Sequence, residues 1–330
     1  MAHKDPDFLA ASVMAEVLES ASFEGPVLIM GEPTGTLAQA IDTPNETWAR
    51  RAGPAAEATP WPADGPFGTV LVRMTRSAEE LKFVLALAAH RLMPGGKVFL
   101  FGANDEGIKS AAKAFAPRFE TPDTLIAKRH CRVFGATLAS TPSDDDLQGF
   151  AEAVGAETKT LQLAWTSWPG MFAHGRLDGG SAFLIENLPP LTDGARVLDY
   201  GCGAGVLSLA LQRQAAGLEI TLFDNDALAL EVAAKNVEGA EIVCGTSLKD
   251  LDDETYDLIL SNPPIHTGKQ QTYAMLERLI LEAPAHLAKG GRLRLVVQGT
   301  APVERMMGQV FTSVTPVKDN RSFVIWEGVV

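Results

Sequence analysis

Two short runs of residues concentrate the chemistry of this chain. In Val197-Leu-Asp199-Tyr-Gly201-Cys-Gly203-Ala-Gly205 an apolar strand runs into a glycine-rich turn. Bare backbone there lets a ligand approach closely and tolerates positive φ. In Asp257-Leu-Ile-Leu-Ser261-Asn262-Pro263-Pro264 a second apolar strand stops on an asparagine and two prolines. The prolines fix φ and remove two donors, which leaves a rigid loop with outward carbonyls. The Asn262 side-chain oxygen and the Pro263 carbonyl then face one exocyclic amine as paired acceptors, with Pro264 and Ile265 completing the loop. Two such bonds hold a planar nitrogen in line for displacement. Asp199, ahead of the turn, is placed to accept hydrogen bonds from an ammonium group. Asp224 ends the next apolar strand, where a carboxylate chelates both hydroxyls of a ribose. Asn225 would lie along the adenosine, with Gly245 and Thr246 bordering the base. Asp226 suits the cap of the following helix better than Asp224 does. A dinucleotide turn of the GxGxxG kind would need a glycine where Val206 stands. The set therefore implies methyl transfer from S-adenosylmethionine to a planar nitrogen. That reaction needs positioning and charge dispersal rather than a strong base, and His266 reads as a surface or substrate-contact residue.

Both runs require one open α/β sheet whose strand ends share a crevice. Apolar runs predict strands over residues 195–200, 218–223, 241–244, 256–261 and 292–297, with a closing pair near 311–317 and 322–329. Helices are predicted over 206–216, 228–237 and 271–287. The alternation describes a doubly wound, mostly parallel sheet. The same plan recurs in outline earlier. Arg91-Leu-Met-Pro-Gly-Gly-Lys-Val-Phe-Leu100 mirrors His286-Leu-Ala-Lys-Gly-Gly-Arg-Leu-Arg-Leu295. In the front copy a strand over 69–73 and a helix over 77–92 come before it. Pro26-Val-Leu-Ile-Met-Gly31-Glu-Pro-Thr-Gly35 stands where Arg196-Val-Leu-Asp-Tyr-Gly201-Cys-Gly203 stands later. The front copy has no aspartate at the end of its opening strand, a proline inside its turn and no Asn-Pro-Pro. Two tandem Rossmann-like domains are expected, the first degenerate over 1–140 and the catalytic one over 156–330. A linker is expected over 141–155, around Ser140-Thr-Pro-Ser-Asp-Asp-Asp146.

With 330 residues, 46% of them hydrophobic, the chain can build two full cores. No apolar run reaches the length of a membrane span. Met1-Ala-His-Lys-Asp-Pro-Asp lacks the pattern of a secretory signal, so a cytoplasmic protein with no membrane association is expected. Cys131, Cys202 and Cys244 are far apart and read as reduced, apolar residues, and no metal site is expected. A net charge of −13 and a pI near 4.9 argue against a broad electrostatic grip on nucleic acid. The acidity is uneven: residues 1–150 hold 14 basic against 19 acidic residues, and residues 151–330 hold 14 against 22. Lys128-Arg129-His130-Cys131-Arg132 is the densest basic cluster of the front half, either a solvated face or a local RNA contact.

Ahead of the second copy runs Pro169-Gly-Met-Phe172-Ala-His-Gly-Arg-Leu-Asp178-Gly-Gly180-Ser181-Ala-Phe-Leu184. The front copy carries Gly102-Ala-Asn-Asp-Glu-Gly107-Ile-Lys-Ser110 and Lys128-Arg-His-Cys131, and the back copy Ser261-Asn-Pro-Pro-Ile-His266-Thr-Gly268. Over most of its length the chain resembles bacterial ribosomal RNA guanine-N2 methyltransferases of the small-subunit RsmC type and their large-subunit relatives. The resemblance implies class I S-adenosylmethionine-dependent domains in tandem, a guanine N2 of 16S ribosomal RNA as acceptor, and ribosomal RNA or a ribosomal subunit as partner. It also implies that Asp178, Gly180 and Ser181 fold over the methionine end of the cofactor. The front domain would lack cofactor and assist RNA binding and folding. Position 265 departs from the family, where an aromatic is usual. Ile265 offers apolar contact but no π-face for a flipped base, which leaves Phe172 or Tyr273 as the candidate ring. Adenine N6, a glutamine amide or a guanine of 23S ribosomal RNA remain alternative acceptors, as does a non-catalytic assembly factor of the same fold. The duplicated front half and the Asp178 segment weigh against the first two. The intact set of Asp199, Asp224 and Asn262 weighs against the last. Oligomeric state is left open, with a monomer as the default.

Overall fold

Strands that are apolar on both faces must be covered on both faces, and this chain solves that problem twice. The computed structural model describes residues 5–20, 25–54, 56–143, 145–252, 254–264, 266–267, 270–271 and 273–330. They divide into a front unit, Met1–Ala151 with Trp168–Gly170, and a back unit, Glu152–Ser167 with Met171–Val330.

The front unit runs α1 (Pro6–Leu18), β1 (Val27–Met30), α2 (Thr36–Ala40), β2 (Asn45–Trp48), β3 (Phe67–Arg73), α3 (Ala78–Arg91), β4 (Leu92–Ala103), β5 (Asp123–Lys128), β6 (Cys131–Thr137) and α4 (Asp145–Gln148). Its six strands lie in the order β2-β1-β3-β4-β6-β5. Every residue of β1 and β3 is buried, as central strands under two helical layers require. Trp168 joins this unit with its ring edge-on to Trp61, while Arg50 Nη1 donates to the Pro169 carbonyl at 2.7 Å.

The back unit opens with a hairpin, β7 (Glu152–Glu157) and β8 (Gln162–Ser167), and then α5 (Gly179–Ile185). β9 (Arg196–Tyr200), α6 (Val206–Gln214), β10 (Glu219–Asp224), α7 (Ala227–Asn236), β11 (Glu241–Cys244) and β12 (Tyr256–Ser261) follow. After the short pair β13 (His266–Thr267) and β14 (Gln270–Gln271) come α8 (Ala274–Glu282), β15 (Leu287–Gln298), α9 (Val303–Met307), β16 (Ser313–Asp319) and β17 (Phe323–Val329). The seven-stranded sheet has the order β11-β10-β9-β12-β15-β17-β16. The chain winds outward from β9 to β11 and then crosses back to β12. The carboxyl ends of β9 and β12 therefore flank the switch point of the sheet, where ligands of such sheets bind.

The two sheets share an irregularity that marks them as copies. In the front sheet Phe67 pairs with Leu92 and Thr69 with Lys97, so four residues of β4 bulge out. In the back sheet Tyr256 pairs with Leu287 and Leu258 with Arg292, so four residues of β15 bulge out at the same place. The front copy has no counterpart of α7 and β11 among its described residues. Its crevice is filled by its own side chains. Glu32, 2% exposed, accepts from Thr34 N at 2.6 Å and Leu37 N at 3.3 Å, and so occupies the start of α2. Arg73 stands level with Gly31 as Asn262 stands level with Gly201. Its guanidinium is held by Asp7 at 2.7 Å and Glu106 at 2.6 Å.

Two expectations need correction. Residues 141–155 are not a plain linker: Asp145–Gln148 is helical and Glu152 begins β7. Asp146, within that helical turn, accepts from Ser143 N at 3.2 Å. Strand β8 alternates buried Leu163, Trp165 and Ser167 with more exposed neighbours, the signature of a half-buried strand. The helix expected over 271–287 spans only Ala274–Glu282, and Ala283–His286 tightens into a 3-10 turn. Pro284 has no N–H for the α-helical ladder and ends it there.

Gly205, at φ +77, is the hinge of the crevice turn, and a Cβ on it would lie 2.9 Å from Val237 Cγ2 and 3.2 Å from Ala233 Cβ. Gly205→Ala is expected to destabilise the back unit by roughly 2 kcal/mol through positive-φ strain and overpacking, read as a lower urea midpoint at unchanged slope.

Candidate active site at the switch point

The glycine turn is tied to the end of the neighbouring strand. Gly201 N and Cys202 N both donate to the Phe223 carbonyl, at 2.7 and 3.1 Å. Gly203 N donates to Asp224 Oδ2 at 2.8 Å, and Asp226 N donates to Asp224 Oδ1 at 3.0 Å. Asp226 in turn caps α7 by accepting from Ala229 N at 3.1 Å. Asp224 is thereby fixed at the strand end, with a further backbone bond from Asn225. Burial raises its pKa, against the pull of the Gly203 and Asp226 N–H groups.

Asp199 is fully buried. Its Oδ2 accepts from Ser208 Oγ at 2.8 Å and Ser208 N at 3.2 Å, while Oδ1 has no partner. Burial pushes its pKa up to about 6, with the Ser208 bonds working in the other direction. A buried carboxylate with an orphaned oxygen beside the glycine turn is suited in its chemistry to a cofactor that carries an ammonium group.

The end of β12 is fastened to β9 by Ser261, whose Oγ donates to the Tyr200 carbonyl at 2.8 Å. The next residue, Asn262, donates through Nδ2 to Asp178 Oδ2 and to Ser181 Oγ, both at 2.9 Å. Asp178 Oδ2 also caps α5, accepting from Gly180 N at 2.8 Å and Ser181 N at 3.1 Å. Pro263 is buried and Pro264 exposed.

A cleft opens between these groups. Asp178, Ser181, Gly201, Gly203 and Asn262 line it, together with Trp165, Phe172, Arg176, Leu177 and Val206. The structure thus joins the Asp178 segment, the glycine turn and the Asn-Pro-Pro loop in one place. Asp224 meets the cleft through Gly203, and Asn225 follows it half-buried. Thr246 is exposed, and its N–H is taken by Asp250 Oδ2 at 2.7 Å, so only its side chain and carbonyl can border a base. Ile265 lies outside the described residues. Of the two candidate rings, Tyr273 packs partly buried against the core of the back unit, whereas Phe172 is 57% exposed at the cleft. Trp165, Ser208 and the role of Ser261 go unread in the sequence. Ser208 meets Asp199 across the glycine turn and Ser261 meets Tyr200 on the neighbouring strand, and only the tertiary fold brings each pair together.

Comparison with known proteins bears on the same residues. The family model for the methyltransferase small domain matches residues 162–327, and that for its N-terminal domain matches 17–153. A ribosomal RNA small subunit methyltransferase C of Pseudomonas putida (strain GB-1) is 36% identical over 299 residues, covering 86% of this chain and 88% of the relative. The protein of the same name from Ectopseudomonas mendocina (strain ymp) is also 36% identical, over 298 residues with the same coverage. Among solved structures, the T. thermophilus 16S rRNA N2 methyltransferase in complex with AdoMet and guanosine superposes with a TM-score of 0.81 at 20% identity. That superposition covers 99% of this chain and 92% of the other. Among the described residues no helix is long and apolar enough to cross a membrane.

The raised pKa of Asp199 has a sign that can be measured. Its neutral form is favoured in the fold, so its contribution to stability is fully present below about pH 4 and lost as pH rises through about 6. Relative to Asp199→Asn, the wild-type chain is expected to lose about 2 kcal/mol of stability between pH 4 and pH 7, read by urea unfolding of both proteins across that range.

Proposed function

The chain belongs to the ribosomal RNA small subunit methyltransferase C family, and on that premise we propose that it methylates the exocyclic N2 of a guanine in 16S ribosomal RNA. The observation that carries this reading is the back-unit crevice, where a glycine turn tied to Asp224 and the strand-end residue Asn262, the first of Asn-Pro-Pro, line one cleft. Bound there, S-adenosylmethionine supplies a methyl group already activated by its sulfonium. Asp199 provides the buried negative charge for the cofactor's ammonium, and Asp224 and Asn225 the ribose and adenosine side. Gly201 and Gly203 let the turn pass close to the ligand, and Thr246 borders the base. The Asn262 carboxamide oxygen and the Pro263 carbonyl accept from the guanine amine and hold its nitrogen in line. As positive charge develops on that nitrogen, the two acceptors disperse it; S-adenosylhomocysteine would be the product left in the cleft, and the methylated nitrogen would release one proton to solvent. Phe172 stands at the mouth of the cleft as an aromatic face for an extruded base.

The front unit serves the RNA rather than the cofactor, because Glu32 and Arg73 with its two carboxylate partners fill its own crevice. The reaction takes place in the cytoplasm on 16S RNA or a small-subunit particle.

The test uses small and large ribosomal subunits from cells lacking the gene, the pure protein and radiolabelled S-adenosylmethionine. Label recovered as N2-methylguanosine in 16S RNA is the expected result. Label confined to 23S RNA, to adenine or to protein would overturn the reading. In the same assay Asn262→Ala is expected to lower kcat by about 100-fold or more. Asp224→Ala is expected to raise the cofactor Kd about 10- to 100-fold, the loss of hydrogen bonds to a charged group.

A further inference from the structure

We infer that Asp178 and Ser181 are positioning residues that lock the flip state of the Asn262 carboxamide, so that its oxygen rather than its nitrogen meets the acceptor amine. The inference rests on the function proposed above and assigns a part of that site which its chemistry leaves open. A carboxamide has two nearly isosteric ends. The oxygen end can accept from an amine, whereas the NH2 end would oppose it donor to donor. The loop itself does not choose between them, since neither proline carries an N–H.

Asp178 makes the choice. Asn262 Nδ2 lies 2.9 Å from Asp178 Oδ2. An ionised carboxylate only accepts, so the flipped carboxamide would set two acceptor oxygens against each other at that distance. Asp178 cannot swing aside without cost, because the same Oδ2 accepts from Gly180 N and Ser181 N at the start of α5. Ser181, 8% exposed, adds a second acceptor 2.9 Å from Nδ2 and fixes the plane of the amide. Gly180 completes the device. A Cβ there would lie 3.3 Å from Asn262 Oδ1 and 3.1 Å from Asp178 Oδ2, so the missing side chain leaves the accepting oxygen uncovered. Asp178 thus acts through Asn262.

Three variants separate this role from helix capping and from cofactor binding. Asparagine caps helices as well as aspartate, but its own NH2 can donate to a flipped Asn262. Asp178→Asn is therefore expected to keep the melting temperature and the cofactor Kd within twofold, while kcat on 16S RNA falls about 10-fold. Asp178→Ala is expected to lose about 100-fold in kcat, again with little change in cofactor Kd by calorimetry. Ser181→Ala is expected to fall between the two. Wild-type kcat in Asp178→Asn would reduce the residue to a cap. A rise in cofactor Kd that accounts for the whole loss would make it a cofactor ligand. Either result overturns the inference. Its fate is separable from that of the proposed substrate by NMR of asparagine-labelled protein, which needs no turnover. The Asn262 side-chain NH2 resonances are expected to be well dispersed in the wild type and to collapse toward free-amide shifts in Asp178→Ala. Resonances unchanged by that substitution would overturn the lock even if 16S RNA is methylated, while absent methylation with a collapsed NH2 signal would count against the substrate alone.

Discussion

The working parts of this chain depend on the parallel pairing of two neighbouring strands, β9 and β12. Val197 opposes Leu258, Leu198 opposes Ile259 and Asp199 opposes Leu260, all six fully buried. Each buried Val, Leu or Ile contributes roughly 1.5–3 kcal/mol of transfer free energy, so the register is held by apolar burial on both faces. A slip of one residue would send Asp199 to the opposite face and carry Asn262 away from Asp178. The Ser261 hydroxyl, bonded to the Tyr200 carbonyl at 2.8 Å, fixes the register where the two strands end. Beyond that point the chain diverges into the glycine turn on one side and the proline loop on the other. The distance between the glycine turn and the Asn262 loop is therefore set by strand pairing, not by loop conformation.

Duplication explains how one chain holds both an open crevice and a closed one. The shared bulges in β4 and β15 and the matching strand orders show the same scaffold built twice. What differs is the chemistry at the strand ends. In the back unit a turn with an open backbone leaves room for ligand. In the front unit Glu32 turns its carboxylate onto the start of α2, and Arg73 stands at the register position that Asn262 holds in the back unit. A buried guanidinium between two carboxylates is a structural plug.

Much of this was legible because local rules apply where the core is apolar. The strands around Asp199, Asp224 and Ser261 announced themselves by hydrophobic runs ending in glycine, aspartate or Asn-Pro-Pro, and the structure places them within a residue or two. The hairpin of β7 and β8 escaped notice because its alternation is short and lies next to an acidic, turn-prone run. The early stop of α8 lay in plain view at Pro284, yet the amphipathic period carried on past it. Within the site, single residues were legible and their couplings were not. Nothing around Ser208 announces that it supports Asp199, and nothing around Asp178 announces that it meets Asn262. Such bonds join residues brought together only by the fold, and a side-chain partner on another element leaves no local periodicity to read.

That one crevice, at the ends of β9 and β12, both holds the cofactor and presents the amine clamp is tested most directly by photocrosslinking. Radiolabelled S-adenosylmethionine would be irradiated with the full chain in the presence of 16S RNA, and the labelled peptides mapped. Label is expected at about one equivalent per chain, on the back-unit peptides that line the cleft around Gly203 and Asn262. Label on the front-unit turn around Glu32, or divided between the two turns, would contradict a single live crevice.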